Sequence, residues 1–352
     1  DVPSTQVTTN KEELMEYFRQ MYTMRRMEIT CDTEYKARNI RGFCHLYDGQ
    51  EAIAMGLAAA LKQEDAIITS YRCHCIALIK GCSVESIFAE QFGNITGASK
   101  GKGGSMHIYN KKENFFGGAG IVGAQVPIGA GLAFAAKYNT PEGEKMPIAL
   151  GMYGDGAANQ GQIWEAANMS SLWKLPMAFV IENNKYGMGT AANRSSSNDV
   201  YYTMGNHIPG IRINGMNVLA VRQAMEFVRD HLSSGKGPMY VELDTYRYHG
   251  HSMSDPGTTY RTRDEVGSVR SARDPVEYAK KLMLDFEMAT AEELKQVEKQ
   301  IRSEVQGALE RAKSASVPPV EELYKDVFAD SNGKDAPQPY IRMPDYQKSI
   351  RL

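Results

Sequence analysis

No stretch of about 18 consecutive apolar residues occurs in the chain, so nothing in it reads as a membrane-spanning helix. Basic charge is not in surplus: 40 Lys and Arg face 42 Asp and Glu, for a formal net charge of −2, and the cations are scattered rather than striped. That leaves no electrostatic footprint for a nucleic acid backbone. Repeats and low-complexity segments are missing, which argues against a solenoid or a flexible linker. Cysteine is sparse: Cys31, Cys44, Cys73, Cys75 and Cys82 are an odd five in 352 residues. They suggest reduced thiols in an intracellular compartment rather than a disulfide framework. What is present is 42% hydrophobic residues, over a length able to bury the core of one sheet domain with elaborations.

The most informative residues are Gly154-Asp155-Gly156, followed after 26 residues by Asn183-Asn184. A hard dication bridging a diphosphate takes oxygen ligands and seldom more than one or two carboxylates, because the phosphates already neutralise it. Asp155 supplies the charge in this reading, and Asn184 the uncharged second ligand. The flanking glycines let backbone approach phosphate closely. Pro147 to Tyr153 is an apolar run of buried-strand type, Gln162 to Trp173 has helical spacing, and Pro176 to Ile181 is a second apolar run. The order predicts an α/β fold, a parallel sheet flanked by helices. Both motifs then sit past the carboxyl ends of strands, where such sheets bind ligands.

GDG and NN at this distance resemble the thiamine diphosphate motif, and the whole run YGDGAANQGQIWEAANMSSLWKLPMAFVIENNKYGMGT is similar to the pyruvate dehydrogenase E1 α-subunit family. IRGFCHLYDGQEA at 40–52, GKGGSMHIY at 101–109, GIVGAQVPIGAG at 120–131 and TYRYHGHSMSDPG at 245–257 carry the likeness from about residue 11 to about 328. It implies a thiamine diphosphate-binding fold with helical extensions at both ends, and oxidative decarboxylation of pyruvate with acetyl transfer to a lipoyl group on an E2 core. It implies Mg2+ on Asp155, Asn184 and the backbone carbonyl of Tyr186, with Gly156 and Ala157 lining the diphosphate. Gly120, Ile121 and Val122 become the cofactor wall, with Ile121 holding the cofactor bent. Tyr71, Arg72 and His251 contact the diphosphate end. His45 and His251 are the acid/base or substrate-orienting candidates, as histidine titrates near neutrality; Phe43 is either pocket wall or core. The carboxylate that activates the cofactor belongs to a β subunit in two-chain members, so an α2β2 assembly is expected. Ser252 matches the main inhibitory phosphorylation site, acted on by a kinase and phosphatase, and Thr259 a second position. The α subunits of branched-chain 2-oxoacid and acetoin dehydrogenases, or a non-catalytic cofactor-binding regulatory subunit, are the alternatives. The YRYHGHSMSDPG block favours pyruvate. The mitochondrial matrix is the expected compartment, with bacterial cytoplasm as the alternative; the start at Asp1 reads as a processed or trimmed chain.

Three segments are expected: a helical arm at 1–40, the α/β domain at 41–275, and a helical region with an unassigned tail at 276–352. Lys11 to Tyr35, Gln50 to Leu61, Gln125 to Tyr138 and Ala220 to Leu232 read as helices, and Met239 to Leu243 as a strand. Thr290-Ala-Glu-Glu293 is a capping box. Residues 252–275 are polar and aperiodic, and read as a long loop. Three motifs invite other readings. Cys73-His74-Cys75 lacks zinc-ligand spacing and reads as buried thiols; family members carry glycine in place of Cys75, so a positive φ there would strain it. Gly118-Ala-Gly-Ile-Val-Gly123 has the dinucleotide glycine spacing, but only Asn114-Phe115-Phe116 precedes it, and Glu142 and Glu144 sit in a loop. Gly97 to Gly104 lacks the residue order of a phosphate-binding P-loop.

Overall fold

A computed structural model describes residues 2–205 and 207–326, so the tail beyond 326 lies outside the described residues. The chain opens with α1 (Lys11–Lys36), whose first turn is closed by Asn10 accepting from the Glu13 amide, and continues into α2 (Glu51–Ala60). Strand β1 (Ala66–Ser70) leads to α3 (His74–Ile79) and α4 (Val84–Phe92). Then come β2 (Phe115–Ala119), α5 (Gln125–Asn139), β3 (Ala149–Gly154), α6 (Gly161–Leu172) and β4 (Met177–Asn183). A hairpin of β5 (Tyr186–Gly187) and β6 (Thr190–Ala191) precedes α7 (Ala192–Ser195), β7 (Gly210–Asn214), α8 (Val218–Ser233) and β8 (Met239–Asp244). Helices α9 (Arg263–Arg273), α10 (Pro275–Asp285) and α11 (Ala291–Ser314) follow.

Six strands form one sheet in the order β2-β1-β3-β4-β8-β7, parallel at every pairing. Parallel strands need both faces covered. Every residue of β4, MAFVIEN, is accordingly buried at the centre. One core, with Met24, Cys31, Leu57, Phe88, Leu150, Val180 and Leu243, packs α1, α2, α4, α8 and α11 on one face. The other face carries α5 and α6 through Val126, Ala130, Ile163 and Phe179. A buried ion triad of Arg25, Glu51 and Asp274 ties α1, α2 and α10 together. Among the described residues no helix is long and apolar enough to cross a membrane.

Several expectations change. Residues 252–275 are not one loop: Thr262 caps α9 by accepting from the Glu265 amide, and Asp274 caps α10 ahead of Pro275 at its first position. Helix α9 has no fully buried residue; only Val266 and Val269, partly buried against Met216, Tyr246 and Tyr248, mark its inner face, too few apolar residues to stand out in a polar segment. The Gly118 to Gly123 run begins inside a strand, β2, not expected there, and β1 and β7 are further strands not foreseen. Gly97 to Gly104 cradles a carboxylate of the chain itself: the amides of Ser99, Gly101 and Gly103 donate to buried Glu90 at 2.7, 2.9 and 2.7 Å. Cys75 lies in α3 without a positive φ, so replacing glycine there strains nothing. All five thiols are free and buried, as expected. The capping box at Thr290 and Glu293 is present in both its hydrogen bonds.

Candidate active site

Four adjacent strands deliver the site at their carboxyl ends. Tyr71 and Arg72 follow β1, Asp155 follows β3, Asn184 follows β4, and Arg247 lies three residues past β8. The parallel register sets Gly154 opposite Glu182 and Asn183 opposite Asp244, so these turns emerge side by side. Gly156 and Gly187 bring the two ligand turns together: a Cβ on either would sit 3.2 Å from the other's Cα. Lys185 and Met188 bend the hairpin with positive φ values of 76° and 56°, strained backbone of the kind concentrated at binding sites.

The donor set suits a hard cation. Asp155 is 2% exposed, and among the described residues no side chain hydrogen-bonds its carboxylate. Burial pushes it up to about 6, against the pull of its own turn's amide and of the more distant Arg247 and Lys185 charges. A cation beside it would remove that penalty. Asn184 Oδ1 and the Tyr186 carbonyl, the two neutral candidate ligands, both accept from Arg247 Nη1, at 3.0 and 2.8 Å. Two oxygens sharing one donor necessarily face one small space. Carboxylate, amide and carbonyl oxygens are the ligands magnesium prefers. Arg247 is 1% exposed and also holds the Met188 carbonyl at 2.7 Å and Tyr260 Oη at 2.9 Å.

Beside this lies a ring cluster. His45 stands 4.3 Å from Tyr71 and 5.1 Å from His251, Tyr71 is 5.4 Å from His251, and Phe43 is 6.2 Å from His45, all between centroids. Arg72 donates to the Leu46 carbonyl at 2.6 Å and the His251 carbonyl at 3.1 Å, which joins β1 to the segment after β8. Burial lowers His45 to about 2, helped by the Arg72 charge, and lowers His251 to about 4 for the same two reasons. The expectation that they titrate near neutrality is therefore corrected: both imidazoles are neutral at pH 7. His45 Nδ1 is buried and has no hydrogen-bond partner among the described residues.

Gly120, Ile121 and Val122 form a separate wall. Gln160 and Gln162, just past the Asp155 turn, donate to the Val122 carbonyl at 2.8 and 3.3 Å. Ile121 is 75% exposed and Phe43 62%, so Phe43 is not core. Ala157 is buried under the turn. Ser252 is 6% exposed, its hydroxyl against Ser254 Oγ at 2.9 Å and its neighbour Met253 donating to the Cys44 carbonyl at 2.8 Å; Thr259 is exposed. Arg261 donates to the carbonyls of Arg247 and Tyr248, at 2.6 and 3.1 Å, and to that of His249; Asp255 takes the His251 amide and Tyr260 Oη. His249 Nδ1 pairs with buried Asp48 at 2.7 Å.

Sequence reasoning missed Arg247, Gln50 and Glu182. Arg247 lies inside a recognised block, but nothing in the sequence says that a polar residue past a strand end is buried. Gln50 stood only as a helix start, although its buried side chain reaches both Glu182 and Asn184. Burial pushes Glu182 up to about 7, opposed first by the Tyr47 hydrogen bond.

Oxygen donors and a guanidinium gathered at the carboxyl edge of a parallel sheet mark the ligand-binding edge of an α/β protein. The family model for the dehydrogenase E1 component matches residues 19–321. The chain is 54% identical to pyruvate dehydrogenase E1 component subunit alpha-1, mitochondrial, of Oryza sativa subsp. japonica, over 96% of this chain and 85% of that protein. It is 49% identical to the probable mitochondrial pyruvate dehydrogenase E1 component subunit alpha of Caenorhabditis elegans, over 99% and 88%, and 53% to that of Schizosaccharomyces pombe, over 93% and 79%. The chain belongs to the dehydrogenase E1 component family, whose members depend on thiamine diphosphate.

Proposed function

We propose that this chain works as the α half of a pyruvate dehydrogenase E1 enzyme, binding thiamine diphosphate through Mg2+ on Asp155, Asn184 and the Tyr186 carbonyl. The observation that carries the reading is that the two turns past β3 and β4 meet at Gly156 and Gly187, bringing the buried Asp155 carboxylate, held by backbone amides but by no side chain among the described residues, alongside the neutral oxygens of Asn184 and Tyr186. Bound there, the cofactor supplies the electron sink that lets a 2-oxo acid lose carbon dioxide. The chain's own residues bind, orient and exclude water. Gly156 and Ala157 face the diphosphate. Arg72 offers the guanidinium N–H groups left over from its two carbonyl bonds. The neutral imidazoles of His45 and His251 orient the 2-oxo acid and hold a proton on one ring nitrogen. Phe43, Ile121 and Val122 close the apolar side.

Their exposure supports a second chain over the site, as does the outer face of α5 and α6. Ile128, Phe134 and Tyr138 on α5, with Leu172 and Trp173 at the end of α6, are large and exposed, and the Phe134 ring lies 6.0 Å from Trp173 and 6.2 Å from Tyr138. A contiguous apolar face of this kind marks a protein interface. The reading assigns it to a β subunit in an α2β2 enzyme that passes acetyl groups to the lipoyl domain of an E2 core. It places the enzyme in mitochondria, in the matrix, where a kinase and phosphatase act on Ser252 and Thr259. Mixing the chain with a pyruvate dehydrogenase β subunit, thiamine diphosphate and Mg2+ tests this: release of carbon dioxide from pyruvate is expected, and faster release from branched-chain 2-oxo acids would overturn the substrate.

A further inference from the structure

We propose that Gln50 is a positioning residue of the metal-diphosphate site: together with Arg247 it sets which end of the Asn184 amide faces the cation. The inference rests on the assignment of Asn184 as a metal ligand.

An amide is nearly symmetric in shape, so packing alone does not choose between its oxygen and its nitrogen. Here Arg247, which can only donate, meets the oxygen on one side of Asn184, and a hydrogen-bonded chain sets the same orientation from the other. Glu182 Oε1 receives Tyr47 Oη at 2.6 Å and Gln50 Nε2 at 3.2 Å. With its NH2 turned to that carboxylate, Gln50 presents Oε1 to Asn184, whose Nδ2 donates to it at 3.2 Å. The Asn184 oxygen must then point the other way, to the space it shares with the Tyr186 carbonyl under Arg247. Tyr47 and Gln50 are fully buried and Glu182 is 3% exposed, so water does not compete for these bonds. Gln50 caps no helix with its side chain, although it stands at the N-cap of α2. Its polar atoms are therefore free for this link. A reversed Asn184 would aim an N–H2 group at a dication and at a guanidinium, and the site would lose a ligand. Residues that orient metal ligands typically carry 10- to 100-fold in metal affinity, roughly.

The test titrates Mg2+ against thiamine diphosphate binding by calorimetry, using the full chain assembled with its β subunit. Gln50→Met keeps the length of the side chain and removes both hydrogen bonds. The Mg2+ concentration for half-saturation should rise about tenfold or more, while kcat at saturating Mg2+ changes far less. Glu182→Gln, which lets the chain of amides reverse, should shift it in the same direction and serves if Gln50→Met does not fold. The decisive comparison is Asn184→Asp. Both carboxylate oxygens accept, so there is no wrong end to present; because Gln50 Oε1 would then face an acceptor, adding Gln50→Met to Asn184→Asp should not lower Mg2+ affinity below where Asn184→Asp alone put it. An unchanged half-saturation in Gln50→Met and Glu182→Gln, or an undiminished effect in the Asn184→Asp background, overturns the proposal. Loss of the underlying site reading looks different: Asp155→Ala would then leave Mg2+-dependent binding intact.

Discussion

Asp155 is held at a cost. A carboxylate whose folded value is raised to about 6 makes the empty chain bind more protons than the unfolded one between about pH 4 and 6, so stability falls through that window and stays lower above it. Asp155→Ala should therefore raise the thermal midpoint of the cofactor-free chain at pH 7, by on the order of 1 to 3 kcal/mol of stability. The same change should abolish Mg2+-dependent thiamine diphosphate binding, since it removes the sole charged ligand of the proposed set. Calorimetry with and without cofactor reads both, and an unaltered cofactor affinity would refute the assignment. His249 shows the opposite sign. Burial alone would lower it, but the Asp48 hydrogen bond and charge, with Asp32 behind, raise it. Its contribution is complete below about 6.5 and fades as pH rises through the folded value. Replacing it, as in His249→Gln, should cost about 1 kcal/mol near pH 6, a figure held down by the exposed edge of the ring. At pH 9 the difference in melting temperature from the wild type should be smaller.

At the scale of elements, the segment from His249 to α9 is the part where order rests on side chains rather than on backbone ladders. Arg261 ties three successive carbonyls, and Asp255 holds the turn. Ser252 is buried, so an added kinase would reach it only after local opening. Arg261→Ala should speed its phosphorylation by an added kinase several-fold, read by phosphopeptide mapping at early times, and should quicken proteolysis within 249–262. A rate equal to the wild type would mean that opening does not limit access. Ser252→Glu should cut activity sharply, because a charge at this buried position, where the hydroxyl now meets only Ser254 Oγ, cannot be buried unpaired; Ser252→Ala should stay active and resist the kinase. The capping calls for a smaller effect. Thr262→Ala should destabilise α9 by about 1 kcal/mol, visible as faster amide exchange there, because nothing buried compensates on that helix.

For the whole molecule, the exposed apolar face of α5 and α6 and the uncovered wall at Ile121 predict that the chain alone binds thiamine diphosphate weakly and turns over no pyruvate. Robust turnover by this chain without a partner would sink the half-site reading. Tyr138→Glu should hinder assembly with the β subunit in size-exclusion chromatography while leaving the monomer's melting temperature within about 0.5 kcal/mol of stability of the wild type, since its side chain is 80% exposed.

The parallel α/β fold, its central strands β3 and β4, the capping box of α11 and the pair Asp155 and Asn184 were all legible in the sequence, because each depends on local pattern: apolar runs, turn glycines, a threonine three residues ahead of a glutamate. Strands β1, β2 and β7 are short, and α9 packs only the partly buried Val266 and Val269, so local pattern did not reveal them. The chemistry of the site divides along the same line. Residue types named Asp155 and Asn184 as candidate metal ligands, but only tertiary structure brought Arg247 onto Asn184 and the Tyr186 carbonyl and linked Gln50 to Glu182 and Asn184, both more than a hundred positions away. Tertiary structure also turned two histidines that titrate near neutrality in water into neutral rings, since a pKa is set by the solvent and charges that folding removes or brings near.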